Sequence, residues 1–273
     1  MKVFRIVFER NPIDFEIVPL YDIHFGTIFH DKKLFNKVID YIKNNDNTYC
    51  FLGGDIIEGI NIGDKRFDYD SLDKEFKKNV NNIISFSIEY TIEKLSPIKD
   101  KILFAINGNH DRYMYGKFGV DIIGTICKEL GIKNYTTDYE CFAKLLFKHQ
   151  KTYSLDIYAH HGHGSAPVRS GTLLNRLEDA MINFDANLYA MGHTHQVVFT
   201  YKNHLKMNST GTGIVKSKKW LIRVGGFRFS RSNKAMGYEE KFGLRPNATG
   251  TVIIKIEKIN RDNSLELSIK TFC

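Results

Sequence analysis

The chain has 273 residues, 42% hydrophobic and 13% aromatic, enough apolar material for one large globular domain or two smaller ones. No run approaches the roughly 18 uninterrupted apolar residues of a membrane span, so a membrane-spanning role is not expected. Net charge is +8 with a pI near 9.1, which rules out a strongly acidic chain and favours anionic partners.

In chain order, the opening residues Met1 to Pro12 carry charges where a signal peptide would place its apolar stretch, so a cytoplasmic location is expected. An apolar run, Ile17–Tyr21, reads as a buried strand. Asp31–Lys43 follows with helical spacing at Leu34, Val38, Ile39 and Ile42, and Asp31 suits the cap. After a strand at Tyr49–Leu52 come a Gly-, Asp- and Asn-rich loop from Gly59 to Asp70 and a long helical pattern from Ser71 to about Leu95, closed by Pro97. A strand at Ile102–Ile106 leads to a helix at roughly Gly119–Leu130 that stops at Gly131. Glu140–Lys148 and Thr152–Ala159 read as adjacent strands joined by a Lys-rich turn. The loop Gly162–Gly171, a helix at about Leu173–Ile182 and the strand Leu188–Met191 complete the alternation. Beyond Gln196, short segments at Val197–Tyr201, Trp220–Val224, Thr251–Ile256 and Leu265–Thr271 suggest a terminal antiparallel sheet. No linker divides the chain. The expectation is one domain over 1–273, with 1–196 as core and 197–273 completing a second sheet. The cysteines Cys50, Cys127, Cys141 and Cys273 lack paired spacing, and no disulfide framework is expected.

Five apolar runs end in short polar clusters: Asp22-Ile-His24, Gly54-Asp55, Asn109-His110-Asp111, His161-Gly-His163 and His193-Thr-His195. In an open α/β sheet, ligands gather outside the carboxyl ends of the strands. Carboxylates, imidazoles and an amide at one rim make a site for more than one metal ion. Asp55 suits a bridging carboxylate, and Gly53 and Gly54 would let the backbone approach the metals. Asp22 and His24 occupy alternate positions, so on a strand both would point to one side, and His193 and His195 share that spacing. Oxygen and nitrogen donors without thiolate fit Mn²⁺, Fe or Zn²⁺.

The series Asp22-x-His24, Gly54-Asp55-x-x-Glu58, Gly108-Asn109-His110-Asp111, His161-Gly162 and Gly192-His193-x-His195 resembles the calcineurin-like metallophosphoesterases over roughly residues 15–196. The resemblance implies an α/β sandwich of four layers, α/β/β/α, with two facing mixed sheets. It also implies a dinuclear divalent centre, Mn first with Fe, Zn or Ni as alternatives. One metal would be held by Asp22, His24, Asp55 and His195, the second by Asp55, Asn109, His161 and His193. A bridging water or hydroxide would attack phosphorus. His110 would stabilise the transition state or protonate the leaving group, with Glu58 or Asp111 orienting its ring. The protein Ser/Thr phosphatase branch has Arg before its Gly-Asn-His-Glu block; here Ile106-Asn107 stand there, and protein phosphatase activity is not expected.

Arg112, His163 and Arg169 are candidates for contacting substrate phosphate. Arg176 is as much a surface residue as a phosphate ligand, and His30, His149 and His204 read as ordinary surface histidines. His161 is preferred over His160 as ligand because it directly precedes Gly. From Ala186 to Tyr238 there is no acidic residue, while Lys202, Lys206, Lys216, Lys218, Lys219, Arg223, Arg228, Arg231 and Lys234 fall in that segment. This field favours a polyanion, hence phosphodiesters and nucleic acid in particular. A phosphomonoesterase or nucleotide phosphatase, and a non-catalytic scaffold of the same fold, are the alternatives.

Overall fold

The computed structural model describes residues 1–59, 67–164, 170–208, 210–231, 240, 243, 246–247, 249–260 and 263–273, with Ser170 by backbone alone. Its strands fall in two sheets. The first contains β1 (Lys2–Phe8), β5 (Glu140–Lys148), β6 (Thr152–His160), β7 (Leu188–Met191), β8 (Val198–Met207) and β9 (Ile214–Arg223), in the order β1-β5-β6-β7-β9-β8. The second contains β2 (Glu16–Leu20), β3 (Thr48–Leu52), β4 (Ile102–Ala105), β10 (Thr251–Ile259) and β11 (Leu265–Phe272), in the order β11-β10-β2-β3-β4. Both sheets are mixed. β2, β3 and β4 run parallel, as do β6, β7 and β9, while β5 with β6, β8 with β9 and β10 with its neighbours are antiparallel.

Strand alternation explains the layering. From β2 and the residue after it, Ile17 and Tyr21 face inward and join Phe15, Phe51 and Phe104. These pack on Leu145, Phe147, Ile157, Leu188 and Ile222 of the other sheet. Val18 and Leu20 face outward, against Leu34, Val38 and Ile42 of α1 (Lys32–Asn44) and Ile123, Ile126 and Cys127 of α5 (Ile122–Leu130). On the far side, Tyr158, Tyr189 and Leu221 pack on Leu177 and Ala180 of α6 (Ser170–Asn183). The result is helices, sheet, sheet, helix. Asp31 caps α1 by accepting from Leu34 N at 3.0 Å, and Gly131 ends α5 with φ 74°.

Several elements differ from the sequence reading. The long helix from Ser71 is broken into a 3₁₀ turn at Tyr69–Ser71, α2 (Lys74–Lys78), a second turn at Val80–Asn82 and α3 (Ile83–Leu95). Asn79, Asn81 and Asn82 are weak helix formers, and Asn79 ends α2. The expected end near Leu95 holds, since α3 stops there; Pro97 sits in the first turn of the 3₁₀ segment that follows, Ser96–Lys101, where its missing N–H costs nothing. β1 and α4 (Asn109–Phe118) were not foreseen. The four C-terminal strands do not form one terminal sheet. β8 and β9 extend the first sheet beside β7, and β10 and β11 extend the second beside β2. Local alternation marks a strand but carries no information on its partner. His30 is buried, its Nδ1 donating to Ile23 O at 2.8 Å with Phe25 and Phe35 against the ring, so it is no surface histidine. Most of the loop Gly59–Asp70 lies outside the described residues. No described helix is long and apolar enough to cross a membrane.

Candidate metal centre

Five strand ends from both sheets meet at one rim: those of β2, β3, β4, β6 and β7. The side chains converge by backbone conformation and not by strand alternation. Seven described non-glycine residues have positive φ, and five of them are Asp22 (50°), His24 (53°), Asp55 (52°), His193 (72°) and His195 (51°). Each such residue costs on the order of 1–3 kcal/mol, and strain of this kind clusters where a site needs it. The expectation that Asp22 and His24 share one side of a strand is therefore corrected. Both lie beyond β2, where Asp22 N bonds Gly54 O and His24 N bonds Asp55 O, each at 3.0 Å.

The glycines are explained by packing. The buried ring of Tyr21 wedges between two loops, and a Cβ on Gly53 or Gly192 would lie 2.2 or 2.4 Å from it. A Cβ on Gly54 would meet Gly108 N at 2.5 Å, and one on Gly108 would meet Asp55 Oδ1 at 2.1 Å. Close approach of strand-end loops to one another requires these residues.

Each central carboxylate is pinned by one oxygen and offers the other. Asp22 Oδ2 accepts from His193 N at 2.8 Å, while buried Oδ1 has no hydrogen-bond partner among the described residues and lies 3.5 Å from His195 Nε2. Asp55 Oδ1 accepts from His110 N at 2.8 Å, while Oδ2 lies 3.3 Å from His161 Nε2 and 3.9 Å from His24 Nε2. Asp55 Oδ2 thus faces two groups of donors. One comprises Asp22, His24 and His195, with the His24 and His195 Nε2 atoms 3.3 Å apart. The other comprises Asp55, His161 and His193, with His193 Nδ1 3.4 Å from His161 Nε2.

Asn109 turns its Oδ1 into the second group, 3.1 Å from His161 Nε2. That amide position also lies 2.8 Å from His193 Nδ1 and 3.2 Å from Asp55 Oδ2. Four atoms rich in lone pairs therefore face one point. Either a cation lies among them, or the amide is reversed so that its NH₂, with two N–H groups, faces the other three. Electrostatics favour positive charge. Burial alone would pull His161 down, but the charge of Asp55 more than reverses this and pushes it up to about 9. Without a metal the cluster recruits a proton. Burial likewise pulls His193 down to about 4, helped by the charge on His161, and leaves its ring a neutral donor. Buried oxygen and nitrogen lone pairs without thiolate fit divalent Mn, Fe or Zn.

His110, at the start of α4, bonds through Nδ1 to the backbone carbonyl of Glu58, and its ring stands edge-on to His24 at 4.8 Å. Glu58 thus orients the ring as one of the two expected residues, but through its backbone carbonyl. The Glu58 carboxylate turns to His24, with Oε2 3.0 Å from Nδ1. The Asp111 carboxylate, fully buried and pushed up to about 6 by burial and by Asp55, accepts from the N–H groups of Ile56, Ile57 and Gly108. It fixes the loop that carries Asp55. Burial opposes the charge on Glu58, but Arg228 and His24 hold it down at about 2.

Arg228, with Nε 3.6 Å from Glu58 Oε2, was missed by the sequence reading except as one charge among many. Its signal was the pair Gly225-Gly226 just before it. The backbone of Gly226 packs so closely on Asp22 that a Cβ there would stand 2.7 Å from Asp22 Cβ. Of the substrate candidates, Arg112 carries its guanidinium over the Tyr115 ring at 4.7 Å. His163 is exposed, with its ring 5.8 Å from His160. Arg169 lies outside the described residues. His160 accepts from Gly162 N at 2.7 Å and stays outside the donor groups, whereas His161 lies within them.

The five motif blocks thus meet at one rim of a four-layer sandwich. Solved structures similar to this chain include a Vps29 from Entamoeba histolytica complexed with Zn²⁺ (11% identity, TM-score 0.39, 94% of this chain and 99% of that one). Others are a predicted phosphoesterase from Streptococcus pneumoniae (12%, 0.35, 94% and 98%) and a metallophosphoesterase from Sphaerobacter thermophilus (13%, 0.41, 94% and 87%). No family model and no curated protein matches the chain.

Proposed function

We propose that this protein is a metal-dependent phosphoesterase with a dinuclear divalent centre, manganese first, acting as one domain in the cytoplasm. The observation that carries the reading is the meeting of Asn109 Oδ1, Asp55 Oδ2, His161 Nε2 and His193 Nδ1 at one point, where a divalent ion would take the place of the proton that His161 otherwise holds. Asp22, His24, Asp55 and His195 would hold one ion, and Asp55, Asn109, His161 and His193 the other. Such ions lower the pKa of a water to near neutrality and offset charge on phosphoryl oxygens.

The chain's own residues then have separate tasks. The Glu58 carboxylate stands 3.0 Å from His24 Nδ1 and so favours the proton on that nitrogen, which leaves the Nε2 lone pair for an ion. His110 directs Nδ1 to the Glu58 carbonyl, so its Nε2 is the atom that would pass a proton to the leaving oxygen. Asp111 serves by holding the backbone on either side of it. Arg112, His163 and Arg169 remain candidates for substrate contact.

Phosphodiesters, nucleic acid in particular, are the finer reading, and phosphomonoesters the alternative. The diester reading rests on the net charge of +8, because much of the basic segment is neutralised in the fold. Mn²⁺-dependent turnover of bis-p-nitrophenyl phosphate, compared with that of the monoester, tests both levels. Diester turnover abolished by EDTA is expected. Monoester preference without cleavage of DNA or RNA would overturn the diester reading, and turnover of neither ester would overturn the phosphoesterase reading.

A further inference from the structure

A cavity of about 210 Å³ lies between the loop that follows β2 and the helices α1, α2 and α3. Phe25, Phe35, Tyr90 and His30 supply its buried wall. Their rings pack on one another: the Phe25 centroid lies 5.0 Å from Phe35, 5.3 Å from Tyr90 and 5.0 Å from His30. The space exceeds the roughly 150 Å³ that admits benzene, but falls below the roughly 300–1,000 Å³ of sites for drug-sized ligands. It has room for one ring system of one or two fused rings.

The polar group in this wall is the His30 imidazole. His30 is 7% exposed, and its Nδ1 donates to Ile23 O at 2.8 Å, in the stretch between Asp22 and His24. Burial pulls its pKa down to about 4, so the ring is neutral at pH 7 and its one proton sits on Nδ1. Nε2 therefore keeps a lone pair, and no group among the described residues donates to it. An acceptor withdrawn from bulk water without a donor is costly, and a donor placed in the cavity would recover that cost. At the mouth, charge is already paired. Lys32 Nζ lies 2.8 Å from Asp73 Oδ2, and Lys94 Nζ lies 2.7 Å from Glu93 Oε1 and 4.9 Å from the Tyr90 centroid. An anion gains little from paired lysines, and the same lysines oppose a cation.

We propose that this cavity binds a neutral planar heterocycle of one or two rings that donates an N–H to His30 Nε2. The ring faces of Phe25, Phe35 and Tyr90 suit a flat aromatic body, which they contact edge-on or face-on. The volume sets the size, the bare Nε2 sets the donor, and the paired ions at the mouth set the charge. The site lies on the loop of the first donor group, since His30 is bonded to Ile23 O and Phe25 directly follows His24. Its occupation needs neither metal nor ester, so it stands or falls apart from the phosphoesterase reading.

The test titrates the full chain with indole and with benzofuran, which has the same shape but an oxygen in place of the N–H. Wild type should bind indole at least tenfold more tightly than benzofuran. The ¹⁵N resonance of His30 Nε2 should move upfield with indole and stay in place with benzofuran. His30→Phe keeps an aromatic wall without the acceptor, and should bring indole down to the affinity of benzofuran. Asn36 lines the cavity from the exposed face of α1. Asn36→Trp should therefore fill the space and abolish binding of both probes with an unchanged far-UV spectrum, which keeps the test decisive if His30→Phe does not fold. No indole binding by wild type, equal affinity for the two probes, or indole binding that survives Asn36→Trp would each overturn the proposal.

Discussion

The metal rim and the β8–β9 hairpin are both rich in charge, and the fold treats them in opposite ways. At the rim, Asp22, Asp55 and five histidines are gathered by strained backbone and wedged glycines. Each carboxylate is held through one oxygen while the other is left for a ligand. In the hairpin segment, positive charge is paired off. Lys202 meets Glu178 at 3.0 Å, Lys218 meets Glu266 at 3.3 Å, and Lys219 meets Asp185. Arg223 is buried and Arg228 faces Glu58. Lys206 and Lys216 remain exposed near the tip, beside exposed Leu205, Met207 and Ile214. Charge left without partners at a rim is a better pointer to function than charge density along a sequence.

The contrast can be broken first at His110. His110→Asn should retain bound metal while losing about 10²–10⁴ in kcat. Near-wild-type turnover by the purified variant would remove His110 from the chemistry. A smaller effect is expected one step back from the ligands. Arg228→Gln and Glu58→Gln should each weaken metal affinity by about 10–100-fold, read by titration of Mn²⁺ into apoprotein, because the support behind His24 is lost. Unchanged affinity in both variants would reduce the Arg228–Glu58–His24 chain to packing. The smallest effect belongs to the hairpin. Joint replacement Lys206→Gln and Lys216→Gln should shift stability by less than about 0.5 kcal/mol and leave KM for bis-p-nitrophenyl phosphate unaltered. A large rise in KM would restore the basic segment to a role in substrate capture.

Much of this architecture was legible in the sequence, for identifiable reasons. Asp22, His24, Asp55, Asn109, His161, His193 and His195 stand out because five apolar runs in one chain end in such residues, where a single one would pass for a turn or cap, and the structure brings all seven to one rim. Their means of convergence was not legible. Left-handed backbone at Asp and His has no periodic signature, and the Tyr21 wedge that dictates Gly53 and Gly192 acts between residues far apart in sequence. The same distance hid the contacts behind the candidate ligands: Glu58 faces His24, and Arg228 reaches Glu58 from 170 positions later in the chain (228 − 58). Acid-free stretches misled for a related reason. Glu178, Asp185 and Glu266, which neutralise the lysines, lie outside the segment whose charge was counted. Arg223, a lone charge at the end of the apolar run Trp220–Val224, was a detectable exception, since such a charge must find partners inside the fold.

Metal stoichiometry of the purified chain tests the central claim most directly. Apoprotein titrated with Mn²⁺ and assayed by mass spectrometry of the bound metal should hold two ions per chain, and Asp55→Asn should lose both together because its carboxylate faces the two donor groups. A wild-type chain that binds no divalent ion, or an Asp55→Asn variant that binds as wild type does, would contradict it.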